Sequence, residues 1–438
     1  MTELAAAPRA LLDRHRAVMP EWMGLYYDEP LELVSGSGRT VVSSDGVEYL
    51  DFFGGLLATM VGHGIPEIVE AIREQAGRIL HSSTLYLLSG QIRLAERIAE
   101  ASRMRDPRVF FVNSGSEAVE AALLFTTAKA RSNQVLALRG GYHGRTFGTV
   151  ATTGIRSWSA TGFSPVQVSY LHSGYRYRSP FRDLGEAAFV DACVEETRAI
   201  IETSTSGPVA CLLAEPIQGA GGFAEPPPGF FARTKQVLDE YGIPLVSDEV
   251  QSGWGRTGKA FFGMHAHGVL PEAITFAKGL ANGLAIGGVV AEAELVHSLP
   301  AQSISTAGGN PIATAAANAT LDHIRDHDLM RNADEIGCRL QAGLARLAAD
   351  RRSIGEVRGS GLMIGIELVE PGGTTASAAR ALAAVERARS LGLLIGRGGL
   401  YGNVLRITPP MTVTAEEADR ALELLAAAIV DGPVGTDR

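Results

Sequence analysis

Of the 39 basic residues only Lys129, Lys235, Lys259 and Lys278 are lysines, against 35 arginines. Chemistry that needs an amine rather than a positive charge must therefore choose among four. Lys278 follows an apolar run at 274–277, Asp248 follows another at 244–247, and Glu215 follows a third at 210–214. An ionisable group at the end of a buried strand is costly unless it is paired or opens into a site. Taken singly, each also fits a helix N-cap or a surface ion pair. Asn113-Ser114-Gly115-Ser116-Glu117 follows the apolar run 108–112 and opens a helical pattern. Free backbone N–H groups and the positive helix end there form a cup for an anion, although Ser114-x-x-Glu117 also reads as a capping box. A nucleophilic amine, a carboxylate that can hold a proton and a phosphate cup have, together, a meaning that none has alone.

The elements that must position these groups alternate. Runs of four to five apolar residues at 108–112, 135–138, 210–214, 244–247 and 274–277 are separated by helical patterns such as 67–76, 94–102 and 117–131. Short continuous apolar strands between helices imply a mostly parallel sheet covered on both faces, with ligands at its carboxyl edge. After Gly309-Asn310-Pro311 the pattern changes. Helices at 312–326, 331–350, 374–391 and 415–430 and strands at 354–358, 361–368 and 404–407 predict a smaller α+β unit. A hairpin at 39–53 has no neighbours of its own and is expected to pack on that unit. The expected division is 1–60 with the small domain, 61–311 as the large domain and 312–438 as the small one.

Composition narrows the class of molecule. The chain has 438 residues, is 46% hydrophobic and carries a net charge of −9, which excludes a disordered tail and argues against a nucleic-acid partner. Its longest uncharged apolar stretch, 280–291, is too short and glycine-broken to span a bilayer, and the first twenty residues lack an apolar signal core. Cys193, Cys211 and Cys338 are too far apart for a disulfide framework or a close-set metal site. A cytoplasmic protein is expected. Neither a Gly-x-Ser-x-Gly elbow nor a Gly-x-x-x-x-Gly-Lys-Ser/Thr loop occurs.

Pyridoxal 5′-phosphate needs the set described above: a lysine for its Schiff base, an aspartate to keep its ring nitrogen protonated, and donors for its phosphate. Several motifs extend the match: Asn113-Ser-Gly-Ser-Glu117, Gly141-Tyr-His-Gly-Arg-Thr146, Ala214-Glu-Pro-Ile-Gln-Gly219, Ser247-Asp-Glu-Val-Gln251, Ala277-Lys-Gly279 and Ser305-Thr-Ala-Gly-Gly-Asn-Pro311. In this order they resemble the class III aminotransferases of PLP fold type I, over 38–430. Leu50-Asp-Phe-Phe53, Arg358-Gly-Ser-Gly361 and the segment 391–398 look most like the alanine–glyoxylate and β-aminoisobutyrate–pyruvate branch.

The resemblance implies roles residue by residue. Lys278 matches the Schiff-base lysine and Asp248 the partner of the pyridine nitrogen. Tyr142 matches the aromatic stacked on the ring, with His143 beside it in the cofactor set, and Val250 the apolar residue behind the ring. Gln251 matches the residue near the phenolic oxygen, and Gly115 and Ser116 the phosphate donors. Thr306 resembles a threonine that reaches the phosphate from a neighbouring subunit, which implies a homodimer with shared sites. Arg406 matches the clamp for a substrate carboxylate, and Glu215 the acid that can hold that arginine aside. Arg145 stands where some relatives meet a distal carboxylate, and Leu56 and Leu57 where others line the pocket. The implied activity is ping-pong transfer of an amino group from an α- or ω-amino acid to pyruvate, glyoxylate or 2-oxoglutarate. An aminomutase, racemase or decarboxylase on the same fold is the alternative.

Overall fold

The computed structural model describes residues 6–432. Three strands lie near the N-terminus: β1 (Leu33–Ser37), β2 (Thr40–Ser43) and β3 (Glu48–Phe52). Seven follow in the middle of the chain: β4 (Pro107–Val112), β5 (Gln134–Leu138), β6 (Gln167–Leu171), β7 (Cys211–Ala214), β8 (Leu245–Asp248), β9 (Ala273–Phe276) and β10 (Gly287–Glu292). Four close the molecule: β11 (Ile354–Ser360), β12 (Met363–Leu368), β13 (Leu393–Gly398) and β14 (Val404–Ile407).

The middle strands form one sheet in the order β4-β10-β9-β8-β7-β5-β6. Strands β5 to β9 are parallel, and β10 runs against both β9 and β4. All five residues of β5 and all four of β7, β8 and β9 are buried, as strands covered on both faces must be. The antiparallel β10 was not anticipated, because glycines, Gly287 and Gly288 among them, interrupt the apolar run 280–291. Close approach explains both glycines. A Cβ on Gly287 would sit 2.5 Å from the Ser114 carbonyl oxygen, and one on Gly288 2.5 Å from the Phe276 ring. Strands β6 and β13 and the helices Ala6–Val18 and Glu186–Ser204 were also not read from the sequence.

The second sheet joins both ends of the chain in the order β1-β2-β3-β13-β14-β12-β11. Its one parallel pairing, β3 with β13, sets Leu50 beside Leu393. The N-terminal hairpin therefore finds its partner in the C-terminal strands. Helices Leu329–Asp350 and Ala415–Ala428 pack together beside this sheet, and one apolar core continues from Phe276 of β9 through Leu280 to Ile364 and Leu405. Among the described residues no helix is long and apolar enough to cross a membrane.

Candidate active site

Strands β4, β5, β7, β8 and β9 point the same way, and the loops leaving their carboxyl ends meet around a cavity of about 260 Å³. Gly115, Ser116, Tyr142, His143, Glu215 and Asp248 line it together with Val250, Gln251 and Lys278. Lys278 follows β9 with a left-handed backbone (φ 44°), so the chain turns sharply and leaves the amine facing the cavity. Burial lowers its proton affinity, and the nearby Asp248 charge offsets part of that effect.

Asp248 is the last residue of β8. Its Oδ2 stands 2.8 Å from His143 Nδ1, and its Oδ1 accepts the Val250 N–H at 3.2 Å. His143 is buried and its Nε2 has no hydrogen-bond partner. Tyr142 is propped edge-on by Trp158, with ring centroids 5.6 Å apart. At the start of helix Gly115–Ala130, Ser114 Oγ accepts the Glu117 N–H and Glu117 Oε2 accepts the Asn113 N–H. The cap is real, and it leaves the first-turn amides of Gly115 and Ser116 with no acceptor inside the helix. Cap and anion cup coexist.

Glu215 is buried, its Oε1 accepting the Tyr142 N–H at 2.8 Å and its Oε2 the Gly219 N–H at 2.7 Å. Burial pushes its carboxyl up to about 7. Arg406, on β14 of the second sheet, does not itself line the cavity; it lies 4.6 Å from the Phe223 ring centroid and donates from Nη2 to the cavity-lining Gln251 Oε1 at 2.8 Å. Burial lowers Arg406 to about 10, and its Nε has no partner. Glu215 and Arg406 are not in contact in this state: the Tyr142 and Gly219 amides hold Glu215, and Gln251 holds the guanidinium.

Other expectations fall elsewhere. Leu57 turns into a small apolar cluster with Ile217, Phe223 and Met363, while Leu56 is 51% exposed; neither lines the cavity. Residues 54–57 all have left-handed backbones, which aims these side chains away from it. Ala58, the next residue, does line it, as do Leu284, Ala285 and Ile286. No sequence signal marked Ala58 or Phe223. Arg145 and Thr306 are exposed, although the Arg145 N–H is bound by Ser116 Oγ.

The family model for "Aminotransferase class-III" matches residues 27–429. The chain belongs to the class-III aminotransferases. This aminotransferase is 36% identical to the alanine/serine racemase of Pyrococcus horikoshii, over 98% of its own length and 92% of the relative's. It is 35% identical to the alanine–glyoxylate aminotransferase 2 homolog 2 of Arabidopsis thaliana, over 95% and 86%. A solved amine transaminase from an uncultivated Pseudomonas species, in its PLP-bound form, matches with a TM-score of 0.87 at 30% identity, covering 94% of this chain and 97% of the other. The cofactor of this enzyme is pyridoxal 5′-phosphate, and the donor set fits it: a desolvated lysine amine, a buried aspartate tied to a histidine, and free helix-start amides around one cavity.

Proposed function

We propose that this cavity transfers amino groups between amino acids and keto acids, with Lys278 as the catalytic amine and Arg406 as the carboxylate clamp. The observation that carries the reading is that a desolvated lysine lines the cavity and a buried, under-partnered arginine reaches it through Gln251. When bound, pyridoxal 5′-phosphate supplies the carbonyl carbon that takes up the amino group and a ring that draws electrons from the substrate Cα. Lys278, whose proton affinity burial lowers, is the amine that takes and returns the Cα proton. Asp248, oriented by His143, holds a proton on the ring nitrogen. The Gly115 and Ser116 amides hold the phosphate, Tyr142 and Val250 cover the ring faces and exclude water, and Gln251 serves both the phenolic oxygen and Arg406.

Arg406 clamps the carboxylate next to the reacting carbon. Arg145, exposed beside Tyr142, meets a distal carboxylate of an ω-amino or dicarboxylic substrate, and Leu56 contacts substrate at the rim. Thr306, exposed on its loop, serves the phosphate of a second copy's site, so the working unit is a homodimer. Cys193, Cys211 and Cys338 are free, which supports a reducing, cytoplasmic setting.

The test is a screen of α- and ω-amino donors against pyruvate, glyoxylate and 2-oxoglutarate, with Lys278→Ala in parallel. Turnover by the wild type with at least one pair, and a loss of more than about a thousandfold in Lys278→Ala with unchanged circular dichroism, are expected. Normal turnover in that variant removes Lys278 from the mechanism. The racemase at 36% identity favours a second reading. Chiral chromatography of a single amino acid incubated without keto acid decides it: inversion without net amino transfer marks a racemase.

A further inference from the structure

Among the described residues, one group of ligand-type side chains outside the active site is tight enough to share an ion: Glu67, His323 and His327, each offering a ligand atom, all within 4.8 Å of one another. The three come from two packed helices. Glu67 lies in the first turn of Pro66–Ala76, His323 in the last turn of Pro311–Asp326, and His327 caps that same helix. Spacing of i and i+4 puts the two imidazoles on one helix face, and their ring centroids are 4.2 Å apart.

The bonding at His323 is unfinished. Its side chain is only 10% exposed, and its Nδ1 is buried without a hydrogen-bond partner while facing Glu67 Oε2 at 3.8 Å. That separation is too long for a hydrogen bond. Two donors on one tetrahedral ion, each about 2.0–2.1 Å from it, stand roughly 3.3 Å apart, so a small rotation of the exposed Glu67 side chain would seat both. A buried imidazole nitrogen with no partner is costly, and a cation bound there would satisfy it.

We propose that Glu67, His323 and His327 form a binding site for a divalent transition-metal ion, with two imidazoles, one carboxylate and a fourth position open to water. Two nitrogens and one oxygen suit Zn²⁺, Ni²⁺ or Cu²⁺ and do not suit Mg²⁺ or Ca²⁺. The ion ties the start of one helix to the end of another, so its effect is on stability rather than on amino transfer. By mass action, an ion that binds only the folded chain raises the melting temperature in proportion to the logarithm of its concentration.

The test uses untagged, cofactor-loaded enzyme carrying Cys338→Ser, which removes the exposed thiol as a competing ligand. Calorimetric titration with Zn²⁺ alone, and with Mg²⁺ alone, is expected to give one Zn²⁺ per chain and no Mg²⁺ uptake. Glu67→Gln and His327→Ala should each weaken Zn²⁺ binding by at least about tenfold, since even an outer-shell partner is worth that much. Both change exposed side chains, so they keep the fold. Zn²⁺ should raise the melting temperature of the parent and leave that of His327→Ala unmoved. Absence of stoichiometric uptake by the parent, or unchanged affinity in both variants, overturns the proposal.

Discussion

Two buried arginines stand in one row of the second sheet and are treated in opposite ways. Across the strands the register runs Arg358, Gly365, Arg406, Gly396, so both guanidinium groups leave the same face. Arg358 is surrounded: Nη1 meets Glu356 Oε2 at 2.8 Å, Nη2 stands 2.9 Å from Glu367 Oε2, Nε donates to the Gly222 carbonyl at 2.9 Å, and its guanidinium lies 4.6 Å from the Tyr175 ring centroid. Glu367 is further held by Arg178 and Asn403. Arg406 has no carboxylate in contact and one side-chain acceptor, Gln251. Gly365 separates them because the Gly222 carbonyl comes within 2.5 Å of where its Cβ would be. A guanidinium ion-paired to two carboxylates ties the sheets together, whereas one with no carboxylate in contact is available to a ligand that brings its own.

The contrast can be broken by exchanging the outcomes. Arg358→Ala leaves the buried Glu367 with Arg178 as its one remaining guanidinium and Glu356 with none, and should cost up to about 3–5 kcal/mol of stability, read as a lower urea midpoint. If that variant is too unstable to purify, Arg358→Lys should show a smaller loss in the same direction. Arg406→Ala strands no acid, so its stability should change by less than about 1 kcal/mol. Its kcat/KM for carboxylate-bearing substrates should nonetheless fall by about 2–4 kcal/mol, roughly 30- to 800-fold, with a simple amine donor much less affected. Equal destabilisation in the two variants would erase the distinction.

Glu215 sharpens it. Its carboxyl is raised by burial to about 7 in the folded chain. Between its ordinary range and that value the folded state binds more protons than the unfolded one, so stability falls as pH rises. Glu215→Gln should remove about 1–3 kcal/mol of that decline, measured as the difference between urea midpoints at about pH 5 and pH 8. An unchanged pH slope would mean that Glu215 is already charged at pH 5 and available to pair with Arg406.

Much of the large sheet could be read from the chain, because β5, β7, β8 and β9 are buried on both faces and show as unbroken apolar runs. Lys278, Asp248 and Glu215 stood out by breaking those runs with a charge. What escaped had signals that point two ways. Gly287 and Gly288 interrupt an apolar run but occur where backbone and ring leave no room for a Cβ. Phe223 beneath Arg406 and the partners of Arg358 lie far apart in the chain, and no local pattern links Glu367 to Tyr175. Leu56 and Leu57 gave the expected apolar composition but not the left-handed turn that redirects them.

The pairing of Leu50 with Leu393 has a consequence for how the chain is made. During synthesis the edge of β3 waits for a partner about 340 residues downstream, roughly 20–70 s at ordinary ribosome speeds. Throughout that time a strand with an unpaired backbone edge is open to other nascent chains. Arg406, on β14, emerges later still. Lys278 and Asp248 are therefore in place along the chain long before Arg406 exists. Because the core under Lys278 continues into β12 and β14, the site cannot finish packing until those last strands arrive.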